Sequence, residues 1–211
     1  MRYLVLGAAA IALSGCGPKT LELPDDPVDR AATCGVVAAA EARAGTADIK
    51  APLSIDSQGR ILHHVLLAAS ADGRFQQDTA IAVSRQMQVR AEEVTAGKWQ
   101  DLVPACAAAF PETQIAEPQL PEASFDAQIG CDELANFMIS ALGPDDSTYA
   151  KESEGYRALQ RRFNQSLAPG LRSRAGSELA GQRELRAESL ADMAERGSPT
   201  ALLAQCIERY G

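Results

Sequence analysis

The amino-acid sequence predicts an all-α protein made of two tandem, similar four-helix units, each closed by one disulfide bond. Three observations support this prediction. Alanine, leucine, glutamate, glutamine and arginine dominate the long segments, and all are good helix formers. The alternation of apolar and polar residues that is typical of strands is nearly absent. A proline-rich stretch in the middle of the chain separates two blocks that carry matching landmarks.

The first 29 residues precede the helical part. Residues 1–15 hold a positive charge at Arg2 and an apolar run from Tyr3 to Leu13, which is too short to span a bilayer as a stable helix. This pattern predicts a secretory signal peptide. Residues 16–29 contain three prolines and no periodic apolar face, so we expect a tether that holds the domain off a membrane.

The end of the signal segment, Leu13-Ser14-Gly15-Cys16, resembles the lipobox of bacterial lipoproteins. The resemblance implies diacylglycerol on Cys16, cleavage after Gly15 and acylation of the new amino terminus, with palmitate as an expected acyl group. Two or three acyl chains anchor a protein stably. Gly17 stands where an aspartate would retain the lipoprotein at the inner membrane in many enteric-type bacteria. The resemblance therefore implies the outer membrane, facing the periplasm; the alternative is an ordinary signal peptide with Cys16 incidental.

The first unit spans residues 30–110, and helices are predicted at 30–44, 53–71, 75–96 and 99–110. Asp29 is a possible N-cap of the first helix, and Gly45 and Gly97 are natural stops. Pro104 should kink the fourth helix or delay its start, because proline lacks a backbone N–H and clashes with the preceding turn.

A proline-rich connector at residues 111–124 follows, and we expect it to carry few contacts between the units. The second unit spans residues 125–211, with helices predicted at 125–142, 147–167, 171–196 and 199–210. Ser124 is expected to cap the first of these helices, and Gly143 to end it. Ser198 followed by Pro199 is a strong start signal for the last helix.

The two units share landmarks in the same order along the chain. Three pairs are offset by 96 or 97 residues, and one small insertion before the last helix accounts for an offset of 100 in the fourth. The pairs are Cys34 and Cys131, Gly59 and Gly155, Gln86 and Gln182, and Cys106 and Cys206. Four matching pairs in the same order indicate that the chain contains an internal repeat of one structural unit.

Four cysteines remain after Cys16, and none forms a C-x-x-C pair. An even number in an oxidising compartment favours disulfides over free thiols. The first and fourth helices of an up-down bundle are antiparallel neighbours, which places the cysteines of each unit at similar height. We therefore predict the bonds Cys34–Cys106 and Cys131–Cys206, with pairing across the units as the alternative.

The net charge is acidic, at −8 for the whole chain. Removal of residues 1–15, whose one charged residue is Arg2, changes it to −9. An acidic chain is a poor candidate for binding nucleic acid, so no nucleic-acid partner is expected.

The only histidines, His63 and His64, are adjacent in an apolar helical segment. Adjacent side chains point about 100° apart on a helix, whereas a helical metal site needs histidines at i and i+4 or nearby acidic or thiol ligands. We expect one ring at the edge of the core and one in solvent. No metal is expected, and no haem or other cofactor.

Three residues are candidate contacts for an anion or a partner. Arg90 and Arg186 occupy equivalent positions in the two units, and their alternative role is to bridge helices through glutamates such as Glu92 and Glu188. Trp99, the only tryptophan, is the third candidate. Its alternative role is to cap the corner between the third and fourth helices.

No catalytic residue is predicted, because the sequence contains no G-x-S-x-G, H-E-x-x-H, P-loop or nucleotide-binding glycine pattern. We therefore expect a binding or scaffolding protein rather than an enzyme, with an envelope protein or another envelope component held between or across the units. One alternative is an envelope hydrolase acting on peptidoglycan or lipid, which would need a concave acidic pocket with a carboxylate of raised pKa. Another is a periplasmic inhibitor or immunity-type protein.

Overall fold

The computed structural model describes residues 21–48, 50–143 and 147–211. All regular elements in these ranges are helical, which confirms the all-α prediction. Unit 1 contains α1 (Pro27–Ala44), α2 (Ile55–Ala69), α3 (Gln77–Ala96) and α4 (Val103–Ala109), and unit 2 contains α5 (Ser124–Leu142), α6 (Ala150–Ala175), α7 (Leu179–Glu195) and α8 (Pro199–Tyr210). Short 3₁₀ turns lie at Trp99–Leu102, Pro111–Gln114 and Ser147–Tyr149.

Helix α1 begins earlier than predicted. Its N-cap is Asp26, whose Oδ1 accepts a hydrogen bond of 2.9 Å from the backbone N–H of Asp29, and Pro27 occupies the first turn. Proline is well suited to that position because the first helical N–H groups have no partner within the helix. The expected cap, Asp29, lies inside the helix, where its carboxylate is free to contact another helix.

Helix α6 runs through Pro169, so the stop predicted at residue 167 is wrong. Leu167 and Leu171 lie one turn apart on the same face, and both are buried. Pro169 is exposed, so the burial of the leucine face keeps the helix intact around it. The helix ends instead at Gly176, whose φ of +74° favours glycine, and α7 begins at Leu179 rather than at residue 171.

Helix α4 starts late because of Pro104. The 3₁₀ turn at Trp99–Leu102 precedes it, and Pro104 lies in the first turn of the seven-residue α-helix that follows. The delayed start predicted from the proline is therefore confirmed. As a result α4 is shorter than its counterpart α8, which has 12 residues.

Both predicted disulfides are present. Cys34 of α1 is bonded to Cys106 of α4, and the two Cα atoms are 5.4 Å apart. Cys131 of α5 is bonded to Cys206 of α8, with a Cα separation of 5.8 Å. Each bond thus joins the first and last helices of its own unit.

The first helix of each unit packs against both the second and the third. A glycine permits a close approach to the third helix in each case. A Cβ atom on Gly35 of α1 would lie 2.9 Å from Cε of Met87, and one on Gly130 of α5 would lie 2.7 Å from Cγ of Met193. The methionine side chains fill the space that the missing Cβ atoms leave, although the two glycines are not equivalent in the repeat: Gly35 follows its cysteine, whereas Gly130 precedes its own.

The two units share one hydrophobic core, so the expectation of few contacts between them is wrong. The larger buried cluster joins Val65, Leu66 and Val83 of unit 1 to residues such as Leu134 and Leu202 of unit 2. Helix α2 packs on both α7 and α8. The short α4 leaves much of the apolar face of α2 uncovered within unit 1, and unit 2 covers it.

The connector at residues 111–124 also packs against the helices. Pro118 and Pro121 are buried, and Leu120 contacts the larger core cluster. The side-chain amide of Gln205 donates a hydrogen bond of 2.7 Å to the carbonyl oxygen of Pro118. The connector is therefore an attached strap rather than a free spacer.

The described part of the predicted tether is residues 21–29; residues 27–29 belong to the first turn of α1, and residues 21–26 lie on unit 1. Leu21 and Leu23 pack against a smaller buried cluster around the Cys34–Cys106 bond, and Arg30 Nε donates a hydrogen bond of 2.9 Å to the carbonyl oxygen of Pro24. Cys16, the predicted lipid attachment site, lies outside the described residues. Within the described ranges, no helix combines the length and the apolar character that crossing a membrane requires.

Candidate functional site

The inter-unit cleft is a cavity of about 680 Å³ where α2 and α3 of unit 1 face α5 of unit 2. It exists because α2 packs against unit 2 while α3 packs mainly against α1, which leaves an opening between α3 and α5. Residues from both units line it, including Leu62, Phe75, Ile81, Arg85, Glu133 and Phe137. The junction of two packed units is a common place for a ligand site.

The floor of the inter-unit cleft is apolar. The rings of Phe75 and Phe137 meet edge to face, with centroids 5.8 Å apart. The backbone N–H of Phe75 donates a hydrogen bond of 3.0 Å to the carbonyl oxygen of Ala187 in α7, which holds this ring at the junction. Ile81 is 40% exposed although it is a large apolar residue. The cleft thus presents apolar surface that no described residue covers.

The rim of the inter-unit cleft is polar. Five uncharged side chains contribute to it: Gln77, Ser84, Gln88, Asn136 and Ser140. Two charged residues also line it. Arg85 forms no ion pair with any described residue, whereas Glu133 accepts a hydrogen bond from Arg186. Sequence reasoning missed Arg85, Ile81 and Phe137, although the i, i+4 spacing of the first two marks one face of α3.

Arg186, one of the predicted contact residues, is bound to two carboxylates of α5. Its Nη1 lies 2.9 Å from Oδ2 of Asp132 and also donates to Glu133. Burial raises the pKa of Asp132 and of Glu133, while the hydrogen bonds from Arg186 act in the opposite direction. One guanidinium therefore binds both members of a partly buried acidic pair and offsets one of their two negative charges.

Arg90, the equivalent residue of unit 1, has a similar role. Its Nη2 lies 2.5 Å from Oδ2 of Asp29 in α1, and Gln86 Nε2 donates to Oδ1 of the same carboxylate at 2.6 Å. These bonds, that of Arg90 first, lower the pKa of Asp29. Both arginines bridge the third helix to the first helix of their unit. Their main partners are not Glu92 and Glu188, because the first helix is the nearest neighbour.

Trp99, the third predicted contact residue, lies at one end of a groove of about 650 Å³ between α1 and α3, which we call the Trp99 groove. Small side chains such as Ala39, Ala40 and Ala91 line much of it. Trp99 is half-buried and also packs against the smaller core cluster. It therefore fills the corner before α4 and leaves part of its ring accessible in the groove.

His63 and His64 are both buried, at 2% and 5% exposure, so the expectation that one is solvated is wrong. Unit 2 contacts the ring of His63, whereas Phe110 at the end of unit 1 contacts that of His64. The Nε2 atom of His63 lies 2.7 Å from the carbonyl oxygen of Ala194, and the ring of His64 meets Phe110 edge to face at 5.0 Å. Burial lowers the pKa of His64 to about 3. Among the described residues, no group of three or more histidine, cysteine or acidic side chains could hold a metal ion.

An acidic hollow of about 570 Å³ is formed by unit 2 and the connector, and is lined by Glu122, Asp126, Glu188 and Asp192. Two of these carboxylates are paired at the surface. Arg174 binds Asp126 at 2.5 Å, and Arg196 binds Asp192 at 2.7 Å. Asp132 and Glu133, whose pKa is raised, do not line this hollow. The acidic pocket and the buried carboxyl groups are thus in different places.

Comparison of the chain with protein-family models, with curated proteins and with solved structures finds no match. The site must therefore be interpreted from its own chemistry.

Proposed function

We propose that this protein is a lipoprotein of the outer membrane that faces the periplasm and binds an envelope component in its inter-unit cleft. The lipobox-like segment that ends at Cys16 supports the lipid anchor. The binding role rests mainly on one observation, the open apolar floor of the cleft with a polar rim contributed by both units.

The chemistry of the carboxyl groups supports binding over hydrolysis. A hydrolase that uses a general acid needs a carboxyl group that keeps its proton near neutral pH and faces a substrate. Asp132 and Glu133 are the partly buried candidates; burial raises the pKa of both, but each is held by a hydrogen bond from Arg186 and is not free to protonate a substrate. The carboxylates of the acidic hollow that carry ion pairs lie at the surface.

A protein partner, which the sequence also predicts, has a separate place to dock. The Trp99 groove combines an accessible tryptophan edge with small side chains that allow a close approach. Tryptophan is enriched among the residues that contribute most to binding at protein interfaces. This partner would contact unit 1 without entering the inter-unit cleft.

The cleft can be tested by blocking it. Ser140→Trp would fill its rim from α5, and Ser173→Trp, at another exposed serine on α6, is the matched control. The full lipidated chain would be purified from crosslinked envelopes, and the bound components compared by mass spectrometry. We expect a component that the wild type and the control retain and that Ser140→Trp loses. Equal recovery with all three proteins would contradict binding in the cleft.

A further inference from the structure

Arg85 is an unpaired cation at the edge of an apolar cavity. It is exposed, it lines the inter-unit cleft, and no carboxylate of the described residues binds it. Arg90 on the same helix and its counterpart Arg186 are, by contrast, both bound by carboxylates of their own unit. Arg85 lies one turn after Ile81 on α3, so the charge borders the exposed apolar surface.

The second charged residue of the cleft is bound by another side chain. Glu133 lines the cleft, but its carboxylate accepts a hydrogen bond from Arg186, which it shares with Asp132. Arg85 is therefore the charged side chain of the lining that no other described side chain binds. The remaining lining consists of the apolar floor and five uncharged polar side chains.

We propose that the inter-unit cleft binds a long-chain fatty acid, with the hydrocarbon chain on the apolar floor and the carboxylate at Arg85. The inference rests on the proposed binding function of the cleft and names its ligand class. A guanidinium suits a carboxylate because the two can form parallel hydrogen bonds. One unpaired arginine balances the single negative charge of a carboxylate better than the higher charge of a phosphate monoester, which is about −1.5 to −2 at neutral pH.

The size of the cleft is consistent with this ligand. A volume of about 680 Å³ lies within the range of sites that enclose small organic molecules. The ring of Phe137 and the side chain of Ile81 offer apolar contact from opposite units. Each buried methylene strengthens binding, by about tenfold for two methylenes when burial is complete. The length of the hydrocarbon chain of the fatty acid should therefore govern its affinity for the cleft.

The test uses the full lipidated chain in phosphatidylcholine nanodiscs with a palmitate analogue that carries a photoreactive diazirine. After irradiation, digestion and mass spectrometry locate the adducts. We expect adducts on peptides that contain Ile81 or Phe137. Excess palmitate should suppress them, dodecanoate should do so less effectively, and Ser140→Trp should abolish them.

Arg85→Gln tests the role of the charge, and Arg183→Gln, at an exposed arginine of α7 outside the cleft, is the matched control. We expect Arg85→Gln to reduce the adduct yield by about threefold to tenfold, because the partner charge is exposed to solvent and screened. The control should retain the wild-type yield. A diazirine analogue of hexadecanol should label the cleft weakly and respond little to either substitution.

Each contrary outcome has a distinct meaning. Equal labelling by the acid and the alcohol, with no effect of Arg85→Gln, would overturn the carboxylate assignment while leaving binding in the cleft intact. Labelling spread over the surface, unaffected by Ser140→Trp, would overturn the fatty-acid ligand. Cleft binding as such would fail only if Ser140→Trp also left the recovery of envelope components unchanged.

Discussion

His63 in α2 and Ala194 in α7 join the two units by a buried hydrogen bond of 2.7 Å. The carbonyl oxygen of Ala194 can only accept, so Nε2 of His63 carries the proton. A second buried hydrogen bond also joins the two units: the hydroxyl group of Tyr149 donates to the carbonyl oxygen of Leu53, at 2.8 Å. Because buried bonds and a common core connect the units, a change in one unit should affect the stability of both.

The buried histidines should make the fold sensitive to acid. Burial lowers the pKa of both rings, that of His64 from the ordinary 6.5 to about 3. Their contribution to stability is thus fully present above about pH 6.5 and is lost as the pH falls below that value. At pH 5, the shift of His64 alone corresponds to a loss of about 2 kcal/mol.

Urea unfolding at pH 7.5 and pH 5 measures this effect. His64→Leu should lower the dependence on pH, because an apolar side chain of similar volume has no proton to bind. Carboxyl groups titrate in both proteins, so the difference between them isolates the histidine. The same pH dependence in His64→Leu and the wild type would refute the role of His64.

Gly59 and Gly155, which are equivalent in the repeat, should respond differently to substitution by alanine. A Cβ atom on Gly59 would lie 2.6 Å from Cγ2 of Thr200 in α8, whereas one on Gly155 would lie 3.3 Å from Cδ1 of Ile207. Alanine favours a helix over glycine by up to about 1 kcal/mol. We expect Gly155→Ala to be neutral or stabilising and Gly59→Ala to destabilise by about 1–3 kcal/mol.

Chemical denaturation of the two variants decides this prediction. Since both changes have the same intrinsic helix preference, the difference between their unfolding free energies reports the contact between α2 and α8. Equal effects would show that this contact is not tightly packed in solution.

The disulfide of unit 1 should stabilise the whole protein. Non-reducing peptide mapping should link Cys34 to Cys106 and Cys131 to Cys206. Cys34→Ser combined with Cys106→Ser opens a loop with a sequence separation of 72 residues, and the chain-entropy relation predicts a loss of about 4 kcal/mol, less any structure in the reduced chain. Because the core is shared, limited proteolysis should show that both units lose protection together. Retained protection of unit 2 alone would instead support separately folding units.

Lipidation should depend on Cys16. Cys16→Ala should leave an uncleaved precursor without diacylglycerol, because the proposed lipid would be attached through the thiol. Ser14→Ala, which keeps a small residue before the cysteine, should be processed normally. Membrane fractionation with intact-mass analysis checks both variants. A processed, membrane-held Cys16→Ala protein would exclude the lipobox interpretation.

The sequence by itself determined the helical class, the two disulfides and several helix ends. These depend on local preferences, such as Pro199 at the start of α8 and Gly143 at the end of α5, or on the adjacency of helices within one unit. The rule that a proline ends a helix failed at Pro169, because it takes no account of the burial of Leu167 and Leu171 in the folded protein.

Only the tertiary structure decided how the units meet and where the candidate site lies. Helical periodicity shows which residues of α2 are apolar, but it does not show which surface will cover them. The short α4 leaves much of that face to unit 2, which contacts the buried ring of His63. The same packing opens the cleft where Arg85 and Phe137 meet from different units. Such a site depends on contacts between distant parts of the chain, and no local pattern in the sequence encodes them.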